Sequence, residues 1–166
     1  MSLTSCSVSN KILNQPYFNK LSESFSTWEK LRKKYNSTYA FKISYFGPWG
    51  TSTTKEVRVK NNKATDVFST FRGVNRKLHY THKKVSPKDH ISIIGEYYNK
   101  CRLALLEVDP LTHEYNLQFT SNNLLRFCGV TEKKPKPCPS EMPCGIVEYI
   151  YIKEIKFNKG LTSPST

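Results

Sequence analysis

The segment at residues 86–108, SPKDHISIIGEYYNKCRLALLEV, constrains the fold more than any other part of the chain. Its apolar residues recur every three or four positions, which is the spacing of one face of an α-helix. This stripe consists of Ile91, Ile94, Tyr98, Cys101, Leu105 and Val108. Ser86 suits the N-cap, Pro87 suits the first helical position, and Asp109 precedes a proline, which disfavours helical geometry. We therefore predict an amphipathic helix over residues 86–108, with Cys101 on its buried face.

A similar stripe nearer the N-terminus predicts a second amphipathic helix at residues 19–35. Its apolar members are Leu21, Phe25, Trp28, Leu31 and Tyr35. From residue 38 onwards, several segments alternate between apolar and polar residues, which is the period of a half-buried strand. They predict strands at residues 39–45, 56–60, 63–71, 115–119, 124–130 and 145–157. Asn61 and Asn62 suit the positive-φ positions of a tight hairpin between the second and third strands.

The order of these elements predicts the fold class. Runs of strands between helices favour antiparallel pairing, hence an α+β fold with both helices on one sheet face. We expect an antiparallel sheet of about six strands with two amphipathic helices, in the order α-β-β-β-α-β-β-β. A chain of 166 residues suits a single domain, which we place at residues 17–157, between a flexible arm at 1–16 and a flexible tail at 158–166. No apolar run is long enough to span a membrane, and residues 1–10 lack the apolar region of a signal peptide.

The cysteines and a glycosylation sequon bear on the compartment. The chain has five cysteines, namely Cys6, Cys101, Cys128, Cys138 and Cys144. Because the last four are clustered, they favour two disulfides and a secreted protein, with Cys101 bonded to Cys128 or Cys144 and Cys6 free. Reduced, structural cysteines are the alternative, and the closely spaced pairs of zinc sites are absent from the sequence. Asn36, followed by Ser37 and Thr38, is a predicted N-glycosylation site.

A pattern of aromatic and β-branched residues over residues 28–63 resembles an uncharacterised family of small secreted domains. The pattern comprises Trp28, Tyr39, Phe41, Val57, Val59, Asn61 and Lys63. The resemblance implies a secreted protein and implies no function.

The positive charge points to a class of partner. The formal net charge is +13, and a small protein with such an excess is attracted to nucleic acids, sulfated glycans and anionic membrane surfaces. Residues 72–84, RGVNRKLHYTHKK, form a basic connection without a clear period into the central helix. The residues predicted to bind a polyanion such as a sulfated glycan are Arg72, Arg76, Lys77, His79, His82, Lys83 and Lys84, with Tyr80 able to stack. A solvated linker whose lysines contact only water is the alternative.

Two further binding functions are consistent with the sequence. Aromatic residues on the predicted strands could line a pocket against the sheet for a small aromatic or apolar ligand. They are Phe41, Tyr45, Tyr115, Phe119, Tyr149 and Tyr151. An intracellular nucleic-acid-binding protein is the other alternative, and it requires reduced cysteines.

Catalysis and metal binding receive less support. His79 and His82 are three residues apart, but no cysteine or carboxylate stands beside them at ligand spacing, so no metal or cofactor is expected. Cys101 with His113, or Cys128 with His90, could form a nucleophile–base pair, yet neither cysteine lies in a catalytic motif. No catalytic residue is assigned, and the sequence favours binding over catalysis.

Overall fold

The helices and strands confirm the α+β class. The structure is a computed structural model that describes residues 15–46, 51–86, 88–133 and 146–157. In chain order the elements are α1 (Gln15–Lys34), β1 (Tyr39–Phe46), β2 (Ser52–Lys60), β3 (Lys63–Arg72), β4 (Leu78–Lys84), α2 (Ile94–Glu107), β5 (His113–Phe119), β6 (Leu125–Glu132) and β7 (Ile146–Phe157). The seven strands form one sheet in the order β4-β3-β2-β1-β7-β6-β5. Every strand pair whose register is described is antiparallel.

The seventh strand corrects the predicted element order. The sequence predicts about six strands and treats residues 72–84 as an irregular connection, whereas β4 lies within that segment and pairs with β3 from Arg72–Leu78 to Asp66–Lys84. Strand periodicity arises when one face is buried, and every residue of β4 is exposed because β4 lies at the edge of the sheet. The edge strand therefore shows no alternation of apolar and polar residues.

Helix α2 starts later than predicted. The sequence places its N-cap at Ser86, but the helix begins at Ile94. The preceding residues form a turn instead, in which the Ser86 amide donates to Asp89 Oδ2 and the Asp89 amide donates to the Ser86 carbonyl. Four residues of the predicted stripe, Ile94, Tyr98, Cys101 and Leu105, are in the helix and buried. The two at its ends, Ile91 and Val108, lie outside the helix and are half-buried.

Helix α1 starts earlier than predicted. It begins at Gln15 rather than Asn19, with Pro16 in the first turn, where its missing N–H costs no helical hydrogen bond. Gln15 and Pro16 therefore belong to the helix, and the rest of the predicted arm lies outside the described residues. Leu21 and Trp28 of the stripe are buried as expected, whereas Phe25 is 40% exposed.

Two compact units divide the chain. The first unit comprises residues 1–26 and 95–150, and the second comprises residues 27–94 and 151–166. Helix α1 and strand β7 each contribute residues to both units.

The core of the second unit is built on Trp28. Its indole is 1% exposed and makes an edge-on contact with Tyr39, at 4.7 Å between ring centroids. The ring of Phe157 also lies against the indole, at 5.7 Å between ring centroids. The inward-facing strand residues complete this core, namely Phe41, Ile43, Val57, Val59, Val67 and Ile152. The turn at Asn61 and Asn62 has positive φ at both residues, as predicted.

The core of the first unit contains the Cys101–Cys128 disulfide, which joins α2 to β6. This bond is one of the two pairings that the sequence favours for Cys101. The other three cysteines, Cys6, Cys138 and Cys144, lie outside the described residues.

A buried hydroxyl fixes the two helices and β6 within the same unit. Tyr98 Oη shares a 2.7 Å hydrogen bond with Ser24 Oγ and accepts one of 2.9 Å from the Leu125 amide. Replacing Tyr98 with phenylalanine leaves Ser24 and the Leu125 amide without this partner. We expect the free energy of unfolding to fall by about 1–3 kcal/mol, measured by urea denaturation. Tyr80→Phe is the control, because Tyr80 is 71% exposed.

The stability difference between wild type and Tyr98→Phe should depend on pH. Burial raises the pKa of Tyr98, while the hydrogen bonds to Ser24 and Leu125 oppose this increase. The unfolded chain therefore loses the proton at a lower pH than the folded chain. This contribution to stability is complete below the unfolded pKa and disappears as pH rises through the folded pKa. The stability gap between wild type and Tyr98→Phe should narrow above about pH 10, and a gap that widens there would contradict this assignment.

Candidate functional site

The excess of positive charge belongs entirely to the second unit. Its sequence holds 18 of the 26 Lys and Arg residues and 5 of the 13 Asp and Glu residues, so 18 minus 5 gives +13. The first unit holds the remaining 8 basic and 8 acidic residues and is formally neutral. An anionic partner is therefore attracted to the second unit rather than to the chain in general.

The five carboxylates of the second unit are all engaged by its own basic side chains. The pairs are Glu29 with Arg32 at 2.7 Å, Glu56 with Lys42 at 3.6 Å and Arg58 at 3.7 Å, Asp66 with His82 at 3.0 Å, Asp89 with Lys83 at 2.6 Å, and Glu154 with Lys42 and Lys156 at 3.1 Å each. No carboxylate of the unit is left to neutralise its other cations.

The predicted basic segment forms a hairpin between β3 and β4. Arg72 and Leu78 are the last paired residues, and residues 73–77 form the connection. Within the connection, the Arg76 amide donates to the Gly73 carbonyl at 2.9 Å and the Gly73 amide donates to the Lys77 carbonyl at 3.2 Å. Arg76 has a φ of 62°, a conformation usually taken by glycine or asparagine. These bonds hold the connection in one defined turn.

The end of this hairpin, residues 71–80, is here called the hairpin tip. Its cations Arg72, Arg76 and Lys77 are exposed, and no carboxylate lies within 4 Å of them among the described residues. Apolar and aromatic side chains share the exposure, namely Phe71, Val74, Leu78 and Tyr80. By strand register, Arg72, Leu78 and Tyr80 lie on one face of the hairpin, while Phe71 and His79 lie on the other.

The other end of β4 is internally neutralised. His82 Nε2 donates to Asp66 Oδ1, and its ring stacks on Phe68 at 4.3 Å with planes 5° apart. Arg58 covers the Phe68 ring at 4.5 Å. The hydrogen bond from His82 lowers the pKa of Asp66, so the carboxylate stays ionised and holds the histidine in place.

Lys83 is also engaged at this end. Its ammonium, and then the Ser86 amide, lower the pKa of Asp89 to about 2. Lys84 is exposed and lies opposite Asp66. Lysines on an edge strand discourage pairing with another strand, and this role explains Lys83 and Lys84 without a ligand.

The structure thus divides the seven predicted site residues into two groups. Arg72, Arg76, Lys77 and His79 belong to the hairpin tip. His82, Lys83 and Lys84 lie toward the other end of β4, about 10–20 Å along the strand from Leu78 at 3.3 Å per residue. The seven residues therefore do not converge on one ligand group.

His79 and His82 do not converge on one ligand. They lie on opposite faces of β4, because side chains three apart on a strand alternate. No group of three or more His, Cys, Asp or Glu side chains that could hold a metal is found in the described part of the chain.

No helix within the described part of the chain is long and apolar enough to cross a membrane.

Other predicted positions are also placed. Cys101 and Cys128 are bonded to each other, so neither serves as a free thiol nucleophile beside His113 or His90. Asn36 is exposed in the turn after α1, with a φ of 50°. Its position leaves the side chain accessible, and glycosylation there stays a prediction.

Sequence reasoning missed a cavity in the first unit. It is a cavity of about 240 Å³ between α1 and α2 that is half open to solvent, and it is lined by Phe18, Leu21, Ser22, Phe25, Gly95, Tyr98, Asn99 and Arg102. The predicted pocket against the sheet used strand aromatics, none of which is among these residues. The sequence places Phe25 on the apolar stripe of α1, but its exposure at the cavity is seen only in the structure.

Comparison of the chain with models of known protein families, with curated proteins and with solved structures finds no match. The functional assignment therefore depends on the chemistry of the hairpin and the cavity.

Proposed function

We propose that this protein binds a polyanion, specifically a sulfated glycan, through the hairpin tip. The observation that carries the proposal is uncompensated charge. The second unit contains the whole +13 excess, its five carboxylates are already paired, and three exposed cations are gathered at one turn.

The chemistry of the tip suits sulfate groups on a sugar chain. Two of its three cations are arginines, whose guanidinium groups can donate two parallel hydrogen bonds to an oxyanion. Leu78 and Tyr80 alternate along β4 and are spaced by about 7 Å on one face, and Arg72 lies opposite Leu78 on β3. This face therefore presents a cation, an apolar side chain and an aromatic ring side by side. An exposed aromatic ring offers an apolar surface to a sugar or a base.

The backbone of the tip supports binding by limiting the entropy lost on association. Hydrogen bonds between Gly73 and Lys77 and between Arg76 and Gly73 fix the turn before a ligand arrives. Asn75 Oδ1 also accepts a 3.0 Å hydrogen bond from the Lys77 amide. A preorganised turn costs less ordering on binding than a mobile linker.

The disulfide supports a glycan over a nucleic acid as the partner. Stable disulfides occur in secreted and other oxidising environments, whereas cytosolic and nuclear proteins keep their thiols reduced. The Cys101–Cys128 bond lies in the core of the first unit. The bond thus supports a location outside the cytosol, where sulfated glycans are among the polyanions that a basic surface meets.

The direct test neutralises the tip. The triple variant Arg72→Gln, Arg76→Gln, Lys77→Gln should bind a fluorescent heparin oligosaccharide about 100-fold more weakly at physiological ionic strength, because three counterion-releasing contacts are lost. Affinity is measured by fluorescence anisotropy. The fold should be unaffected, since all three side chains are exposed.

A matched variant separates the effect of losing the tip cations from the effect of lowering the net charge. Lys33→Gln, Lys60→Gln, Lys63→Gln removes the same charge from exposed positions, and Lys63 lies at the opposite end of β3, about 30 Å from Arg72. We expect this variant to lose only a few-fold in affinity. Equal losses in the two variants would contradict a specific tip site. Tighter binding of single-stranded DNA than of heparin would favour the nucleic-acid alternative and contradict the glycan.

A further inference from the structure

We infer that the cavity between α1 and α2 in the first unit binds a small apolar carboxylate. The site is independent of the hairpin tip, because all the residues that line it belong to the first unit. The first unit is formally neutral, so an anion held there is recognised by local groups rather than by the general excess of charge.

The cavity has an apolar floor and a polar rim. Leu21 and Tyr98 line it and are buried, and Phe25 lines it and is exposed to solvent. Ser22, Asn99 and Arg102 lie at the mouth, where all three are exposed. A concave apolar surface with a few polar groups on one side is the usual form of a small-molecule site.

The size of the cavity sets the size of the ligand. A buried cavity of about 150 Å³ accepts benzene in a well-studied case. The 240 Å³ found here therefore accommodates one aromatic ring or a short aliphatic chain together with a small polar group.

Gly95 is a second observation that points to a ligand. It lies in the first turn of α2, where glycine is a poor helix former. A Cβ added to Gly95 would meet nothing within 4 Å, and its φ is not in the left-handed region. Neither packing nor backbone conformation in the described chain requires glycine at this position. A ligand lying against the backbone at the cavity wall would require it.

Arg102 determines the charge of the ligand. It is the charged member of the described lining, and no carboxylate is among these residues. Its Nη2 donates to Asn99 Oδ1 at 3.1 Å, which holds the guanidinium beside the mouth. The remaining guanidinium donors match the two oxygens of a carboxylate. The ligand thus places its apolar part on Phe25, Leu21 and Tyr98 and its carboxylate on Arg102.

The experiment uses the full chain and three probes of similar size. Phenylacetate, neutral phenylacetamide and cationic phenethylamine are titrated into ¹⁵N-labelled protein, and the amide signals of Gly95 and Asn99 are followed by NMR. We expect saturable shifts with phenylacetate, about tenfold weaker binding of phenylacetamide, and no saturable shift with phenethylamine. Equal shifts from all three probes, or no saturation by phenylacetate, would overturn the inference.

Two substitutions assign the roles of the lining residues. Arg102→Gln should reduce the affinity for phenylacetate to that for phenylacetamide. Lys100 is on the same helix but outside the lining, so Lys100→Gln should change the affinity for neither phenylacetate nor phenylacetamide. Gly95→Leu should abolish phenylacetate binding by filling the cavity while the melting temperature is not lowered. Unchanged phenylacetate binding in either Arg102→Gln or Gly95→Leu would show that the probe binds elsewhere and would overturn the site.

Discussion

Replacing Trp28 with alanine should lower the free energy of unfolding by about 3–5 kcal/mol, the range for removing a fully buried large aromatic side chain. Among the described residues of the second unit, Trp28 is the largest fully buried side chain. Its removal leaves Tyr39 and Phe157 facing a cavity, because both rings lie against the indole. Urea denaturation followed by circular dichroism measures the loss.

Trp28→Phe distinguishes the packing of the ring from the indole N–H. The N–H is buried and has no hydrogen-bond acceptor among the described residues. Phenylalanine keeps an aromatic ring beside Tyr39 and removes a donor that is costly to bury unpaired. We expect Trp28→Phe to cost less than half as much as Trp28→Ala. A phenylalanine variant as unstable as the alanine variant would contradict the packing described for this core.

Removing the disulfide should have an effect of similar size. Cys101 and Cys128 are separated by 27 residues and both are buried. Constraining a loop of this length in the unfolded chain contributes about 3–4 kcal/mol. The Cys128→Ala variant should lose this amount in urea denaturation.

The double variant tests whether the two cysteines act through one bond. Because either single substitution already removes the bond, Cys101→Ala with Cys128→Ala should be little less stable than each single variant. Costs that add up would show that the cysteines are separate reduced residues. The mass of the alkylated native protein gives a second reading, since the bonded pair should take up no alkylating reagent.

The helices and six of the seven strands could be predicted because burial marks them in the sequence. Tyr39, Phe41 and Ile43 alternate with small or polar residues and are buried, and Tyr98 and Leu105 recur at helical spacing. The residues at which the helices begin are harder to predict from the sequence. Ser86 looks like an N-cap, but the Asp89 carboxylate satisfies its amide in a separate turn and is itself fixed by Lys83. That competition depends on a side chain of β4, which the sequence does not place.

The candidate site could be predicted only in part. The basic residues are evident from composition, but their strand conformation is not, because an exposed edge strand carries no burial period. The sequence also does not show that His82 is bound by Asp66, which lies sixteen residues away across the hairpin. Similarly, the cavity beside Gly95 results from the packing of α1 against α2 in the first unit, which no local pattern encodes.

The salt dependence of heparin binding tests the central claim most directly. When log K is plotted against log salt concentration, the slope counts the ions released by cationic contacts. We predict that the tip variant Arg72→Gln, Arg76→Gln, Lys77→Gln has a slope smaller by about 2–3 units than that of wild type. The matched variant at Lys33, Lys60 and Lys63 should keep a slope within about one unit of wild type. A wild-type slope in the tip variant would show that the hairpin tip does not contact the polyanion.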